Sequence, residues 1–168
     1  MKKIILGLIL TISLSMANSF AQLGLGYSQG ENEGNYATGF AGLNVFGNIG
    51  LRLEYTKNVD NHAEFSKEDI SRYGVFATYT LPLSSSFSIT PKAGLTKTDG
   101  EFTFKGVADE VSDSSTEFTY GLEINYHYNE NVGLFIGYTD YGNELDLKNI
   151  DKDKMDTQNY MFGIKVDL

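Results

Sequence analysis

Residues 160–168 read Tyr160-Met161-Phe162-Gly163-Ile164-Lys165-Val166-Asp167-Leu168. Successive side chains of a β-strand point to opposite faces, so Tyr160, Phe162, Ile164, Val166 and Leu168 share one face. Met161, Gly163, Lys165 and Asp167 share the other. A helix would scatter both sets around its circumference, and the period of two therefore predicts a strand with one apolar side.

The same period recurs back to Leu23. Leu23, Leu25 and Tyr27 alternate with Gly24, Gly26 and Ser28; Ile49, Leu51, Leu53 and Tyr55 alternate with Gly50, Arg52, Glu54 and Thr56. Tyr73, Val75, Ala77, Tyr79 and Leu81 form a further stripe, as do Phe87, Ile89, Ala93 and Leu95. Phe118, Tyr120, Leu122, Ile124, Tyr126 and Tyr128 form the longest, and Val132, Leu134, Ile136 and Tyr138 one more. Residues 37–46 read as a strand of undecided facing, because small residues (Ala37, Gly39, Ala41) occupy one parity and Phe40 and Phe46 the other. With residues 160–168 this makes eight strands. Pro91 sits on an apolar stripe and has no N–H for a ladder, so a bulge or strand end is expected there.

The connections alternate in length. Short turns fall at Gly47-Asn48, 82–86 and 129–131, all rich in turn formers. Longer polar stretches fall at 29–35, 58–70, 98–116 and 142–156. Short turns on one rim and long loops on the other are the organisation of a membrane barrel.

The address agrees. Lys2 and Lys3 precede an apolar run that begins at Ile4, and small residues lead to Ser19-Phe20-Ala21, the pattern of a cleavable signal peptide. Residues 1–21 are thus read as leader and 22–168 as a single barrel domain. Cleavage removes two lysines and no acid, so the mature chain is more acidic than the formal −9 of the whole sequence, which argues against nucleic acid as a partner. No cysteine is present, so disulfides and thiolate metal sites are excluded.

Sidedness separates two kinds of barrel. A soluble periplasmic lipocalin-like barrel binding a hydrophobic ligand alternates in the same way with its apolar face inward. Here the polar parity is dominated by Gly, Ser and Thr with isolated charges, whereas a water-facing surface is typically about 25–35% charged. Small residues suit a crowded lumen, and a charge facing lipid at mid-depth would cost roughly 2–4 kcal/mol. The tyrosines near strand ends (Tyr55, Tyr73, Tyr79, Tyr126, Tyr128, Tyr138) fit the headgroup level. The apolar stripes are therefore expected to meet outer-membrane lipid. Arg52, Glu54, Lys92, Glu117, Glu123, Lys165 and Asp167 then point inward, where opposite charges pair in a lumen that eight strands leave just wide enough for side chains. The expected interior is a packed core and not a pore.

With its leader, eight amphipathic strands, the strand Leu51-Arg52-Leu53-Glu54-Tyr55 and the terminal strand 160–168, the chain resembles the small OmpA/OmpX-like outer-membrane β-barrel families, including the opacity-type or porin-family barrels. The resemblance implies an all-β, antiparallel, up-and-down transmembrane barrel of eight strands in the cell outer membrane. It also implies that Tyr160, Phe162, Ile164, Val166 and Leu168 form the terminal-strand signal for the barrel-assembly machinery. The family usually ends in Phe or Trp; this chain ends in Leu168.

Chemistry is sparse. A lipid A-modifying barrel enzyme needs a His beside a Ser or an acid, and only His62 and His127 exist, the first in a long loop and the second at the short-turn end of a strand. Asp151, Asp153 and Asp156 fail the EF-hand pattern, with Lys152 and Lys154 between them. No catalytic residue, cofactor or metal is expected. Phe102 and Phe104 alternate with Glu101, Thr103 and Lys105, as though two strands continued past the membrane as a hairpin whose edge recruits an extracellular partner. The expectation is a monomeric, non-enzymatic barrel with a structural or adhesion-like role through long acidic loops.

Overall fold

A computed structural model describes residues 20–30, 34–60, 65–104, 110–142 and 157–168. The strands are β1 (Ala21–Gly30), β2 (Asn35–Phe46), β3 (Ile49–Asn58), β4 (Phe65–Tyr79), β5 (Leu81–Pro82), β6 (Phe87–Phe104), β7 (Glu110–His127), β8 (Val132–Asp140) and β9 (Gln158–Asp167). All pairings are antiparallel between chain neighbours, β1 pairs with β9 from Gln22 opposite Asp167 to Gly30 opposite Asn159, and β5 prolongs β4 along the same flank of β6. Nine strand segments thus make the eight staves of a closed barrel, which leaves no open edge around its wall.

Alternation fixes the sidedness. On β3, Leu51, Leu53 and Tyr55 are 54%, 61% and 40% exposed, whereas Arg52, Glu54 and Thr56 between them are 2%, 6% and 1% exposed. The same inversion holds on β1, β7, β8 and β9, where Leu25, Leu122, Ile136 and Phe162 stand outward. An apolar belt of this extent in water would be an aggregation surface. A lipocalin-like barrel would bury these rows; here they form the outside.

β2 faces the way its even residues dictate: Tyr36, Thr38 and Phe40 are buried, and Ala37, Leu43 and Val45 are exposed. The register slips between Asn44 and Phe46, and Gly47 turns the chain with a φ of 55°, open to glycine without strain. The other short turns are closed by side chains. Ser84 Oγ accepts from the N–H groups of Ser86 and Phe87, and Asn129 Oδ1 accepts from those of Asn131 and Val132.

Pro91 is accommodated without a bulge. Thr78 opposite Lys92 and Leu81 opposite Ile89 keep one register, so no residue is inserted. The rungs missing between them are those that would use a Pro91 N–H toward the Tyr79 carbonyl. The cost of proline is a gap that splits β4 from β5.

Two stretches expected as loops are largely strand. β4 begins at Phe65, and β6 and β7 run for 18 residues each, although a tilted strand crosses a bilayer in about 9–11. β3 pairs with β4 only as far as Lys57 opposite Ser71, and β8 with β7 only as far as Tyr120 opposite Asp140. The outer parts of β4, β6 and β7 rise past them as a three-stranded ribbon. Hydropathy alternation is silent there because both faces of the ribbon leave the lipid.

Candidate functional site

The lumen at mid-barrel holds two buried ion pairs. Arg52 on β3 reaches across to Glu123 on β7, and Lys92 on β6 meets Glu54 on β3 with its Nζ 2.6 Å from Oε2. All four residues are at most 6% exposed. The Arg52 guanidinium also lies 4.1 Å from the Phe40 ring centroid, and Lys92 Nζ lies 4.9 Å from that of Phe76. Both pairs bridge strands that are not neighbours in the sheet or face across the bore, so they brace the cylinder from within. Lys165 and Asp167 are buried nearer the short-turn end.

Glu117 departs from the expected network. It is half-buried on the ribbon, three residues beyond the last β7–β8 rung, and among the described residues it forms no ion pair.

Large inward side chains escaped sequence reading. Phe40, Phe135 and Met161 form an apolar cluster, with Phe40 and Phe135 in an edge contact at 5.6 Å. Their signal in the sequence is the glycine on the adjacent strand: Gly24 stands opposite Phe40 and Gly163 opposite Phe135. Toward the outer end Arg72, 2% exposed, lies between the rings of Tyr36 (4.6 Å) and Tyr141 (4.5 Å). Aromatic and cationic side chains plug the bore along with the ion pairs.

Phe102 corrects the expected partner-binding hairpin. Its side chain is 1% exposed, and its strand is occupied on both edges, by β4 and by β7. Neither the ring nor the β6 backbone is available to a partner. Inward parity on the ribbon put it there. The side chain of Phe104 lies outside the described residues, as do His62, Asp151, Asp153 and Asp156.

His127 lies at the short-turn mouth with Nε2 3.1 Å from Ser88 Oγ and Nδ1 3.9 Å from Asp167 Oδ2. The trio has the residue types of a hydrolytic triad, yet Ser88 is 2% exposed and the carboxylate is beyond hydrogen-bond reach. Ser88 and Asp167 are buried and His127 is half-buried, and the trio sits at the short-turn mouth of the bore.

On β9, Tyr160, Phe162 and Ile164 point outward beside the seam with β1. Tyrosines ring both ends of the lipid face, with Tyr55 against Tyr73 at 5.1 Å and Tyr138 against Tyr160 at 5.5 Å between ring centroids on the long-loop side. Just beyond this ring Lys57 Nζ lies 2.9 Å from Asp69 Oδ1, and that hydrogen bond raises the lysine above its ordinary range.

An inverted, closed barrel with an apolar belt, a tyrosine ring and a plugged polar bore is an integral outer-membrane barrel. Comparison with known proteins gives its family. Residues 6–167 match the model of the outer membrane protein beta-barrel domain, and the chain belongs to that family. Its fold is similar to the N-terminal β-barrel domain of Pseudomonas aeruginosa OprF, with a TM-score of 0.69, 12% identity and coverage of 90% of this chain and 98% of that one. It is also similar to Neisserial surface protein A (TM-score 0.58, 15% identity, 88% and 94% covered) and to Ail, the attachment invasion locus protein of Yersinia pestis (0.54, 12%, 88% and 95%). No curated protein matches the sequence. The protein resides in the outer membrane.

Proposed function

We propose that this barrel is a non-enzymatic surface-interaction protein, adhesion-like in role, whose contacts are made by the β4–β6–β7 ribbon and the long acidic loops around it. The ribbon is the observation that carries this reading. Strands crossing a bilayer need no such extension, and ordered backbone beyond the membrane costs conformational entropy that only a use outside the lipid explains. Its outer face carries Asp69, Asp99 and Glu101, with Asp69 directly opposite Glu101; Asp69 and Asp99 are paired with Lys57 and Lys97, and the surplus of acid among these side chains suits a cationic partner. Ail, of similar fold, is named for attachment and invasion, and one of its structures holds the heparin analogue sucrose octasulfate. The acidic ribbon here favours a partner of opposite charge to that ligand.

The same reading takes residues 1–21 as a removed leader, the mature protein as a monomer, and the β9 row of Tyr160, Phe162, Ile164, Val166 and Leu168 as the assembly signal. The lumen residues Arg52, Glu54, Lys92, Glu123, Lys165 and Asp167 serve stability and not conduction.

The test shortens the ribbon by joining Thr98 to Ser115 through an Asn-Gly turn, which suits a two-residue hairpin. Cells displaying the full protein are expected to bind a surface coated with a lysine-rich polypeptide more than cells with the shortened form, both forms keeping heat-modifiable electrophoretic mobility. Equal binding by the two would assign the protein a purely structural role in the envelope.

A further inference from the structure

The Arg52–Glu123 pair uses one arm of the guanidinium; the other arm reaches Gln22. The register places Gln22 of β1 opposite Gly42 of β2, and Gly42 opposite Arg52 of β3. Gly42 has no side chain to stand between the two, and the Gln22 amide lies across it. Its Oε1 is 3.7 Å from where a Gly42 Cβ would be and 3.5 Å from Arg52 Nη2, while Nη1 of the same guanidinium serves Glu123.

The backbone puts the nitrogen of Gln22 on the same side as its amide. The Ala21 carbonyl accepts from the Leu168 N–H of the neighbouring β9 at 2.8 Å. In a trans peptide unit the C=O and the N–H point opposite ways, so the Gln22 nitrogen faces β2, the strand over which its own side-chain amide lies. This peptide unit, Ala21–Gln22, is the one cut when residues 1–21 are removed. Cleavage turns its nitrogen into an α-amine, next to a carbonyl carbon of the same residue whose oxygen faces a guanidinium. Nucleophile, electrophile and a donor for the developing charge then share one side of β1.

We propose that the mature N-terminus is a self-modification site, at which Gln22 closes to pyroglutamate with Arg52 assisting; the inference rests on the reading of residues 1–21 as a removed leader. The lone pair of the neutral α-amine attacks Cδ and forms the N–Cδ bond, and negative charge gathers on Oε1, where Arg52 Nη2 donates to it. A contact of 3.5 Å before reaction suits a hydrogen bond that tightens only as this charge develops. The carbonyl re-forms as the Cδ–Nε2 bond breaks, and Nε2 leaves as ammonia with the proton that the amine gives up. No oxidant, cofactor or water is consumed. Closure also removes an ammonium from a stretch of bore that encloses Arg52 and Lys165, with Asp167 directly opposite Gln22. The lactam is neutral and resists aminopeptidases, which need a free amine.

The test is mass spectrometry of the intact protein extracted from membranes at intervals after a pulse of synthesis, with fragmentation of its N-terminal peptide. The expected product has the mass of residues 22–168 less one ammonia, the loss lying on Gln22. A chain that begins at Gln22 and keeps its amide at every interval overturns the proposal and leaves the leader reading standing; a chain that begins elsewhere overturns both. The R52M/E123L double variant removes the guanidinium without stranding a buried charge. It is expected to cyclise about tenfold more slowly, the equivalent of one hydrogen bond to a charged group. Should that variant fail to fold, R52K keeps a cation for Glu123 and lacks the second arm of the fork, and the same slowing is expected. Cyclisation as fast in these variants as in the parent overturns the proposal, since closure would then be the common chemistry of any N-terminal glutamine.

Discussion

Gly24 on β1 lies directly across the ladder from Phe40 on β2, and a Cβ at Gly24 would sit 2.2 Å from Phe40 Cζ. The phenyl ring fills the space above the glycine, where it stacks beneath the Arg52 guanidinium and meets Phe135 edge-on. A lumen this narrow admits an inward aromatic only where a neighbouring strand gives up its side chain. Gly24→Ala is therefore expected to destabilise the barrel by about 1–3 kcal/mol, as overpacked cores do. The midpoint of urea unfolding in detergent micelles checks this. Phe40→Leu in the same chain should recover part of the loss, and an additive pair would show that the two positions do not touch.

The Arg52–Glu123 pair makes a different prediction. Removing one member leaves the other buried and uncompensated, so Glu123→Leu is expected to cost about 3–5 kcal/mol, whereas Arg52→Met with Glu123→Leu should cost much less. A double-mutant cycle on unfolding free energy measures the coupling. The exposed Lys57–Asp69 pair is the contrast, and Asp69→Asn should change stability by no more than about 1 kcal/mol.

Sidedness predicts opposite responses from two residues of β3 that face opposite ways. Leu53→Arg places a charge in the lipid belt and is expected to cost roughly 2–4 kcal/mol. Thr56→Ser, in the buried polar bore, should be tolerated. Folding yield into phospholipid vesicles reads both.

Pro91 leaves the Tyr79 carbonyl without its ladder donor. Pro91→Val restores an N–H there and is expected to stabilise the barrel by about 0.5–1.5 kcal/mol, the net worth of one hydrogen bond. Slower amide exchange at residues 78–81 would accompany it. A loss of stability would place the missing rungs elsewhere.

The barrel was legible in the sequence because lipid imposes a strict period of two on strands such as β3 and β9, where Leu51, Leu53 and Phe162 must face outward. Arg52, Glu54 and Glu123 were legible for the same reason, as charges of the opposite parity. The facing of β2 was not, because its outward residues are small and its inward Phe40 is large, reversing the usual cue. The ribbon was read only in part: beyond the membrane neither face of β4, β6 or β7 is held to lipid, so Asp69 and Ile70 look like loop. Phe102 was misplaced for that reason, and Arg72 between Tyr36 and Tyr141 depends on strands far apart in the chain, a juxtaposition that no local pattern carries.

The central claim is that the apolar parity of these strands faces outer-membrane lipid. The direct measurement is expression of the full chain from Met1, separation of inner and outer membranes, and electrophoresis of each fraction with and without boiling. The account predicts a band in the outer-membrane fraction whose mobility shifts on boiling. A protein found in the periplasmic supernatant, with mobility unchanged by boiling, would contradict it.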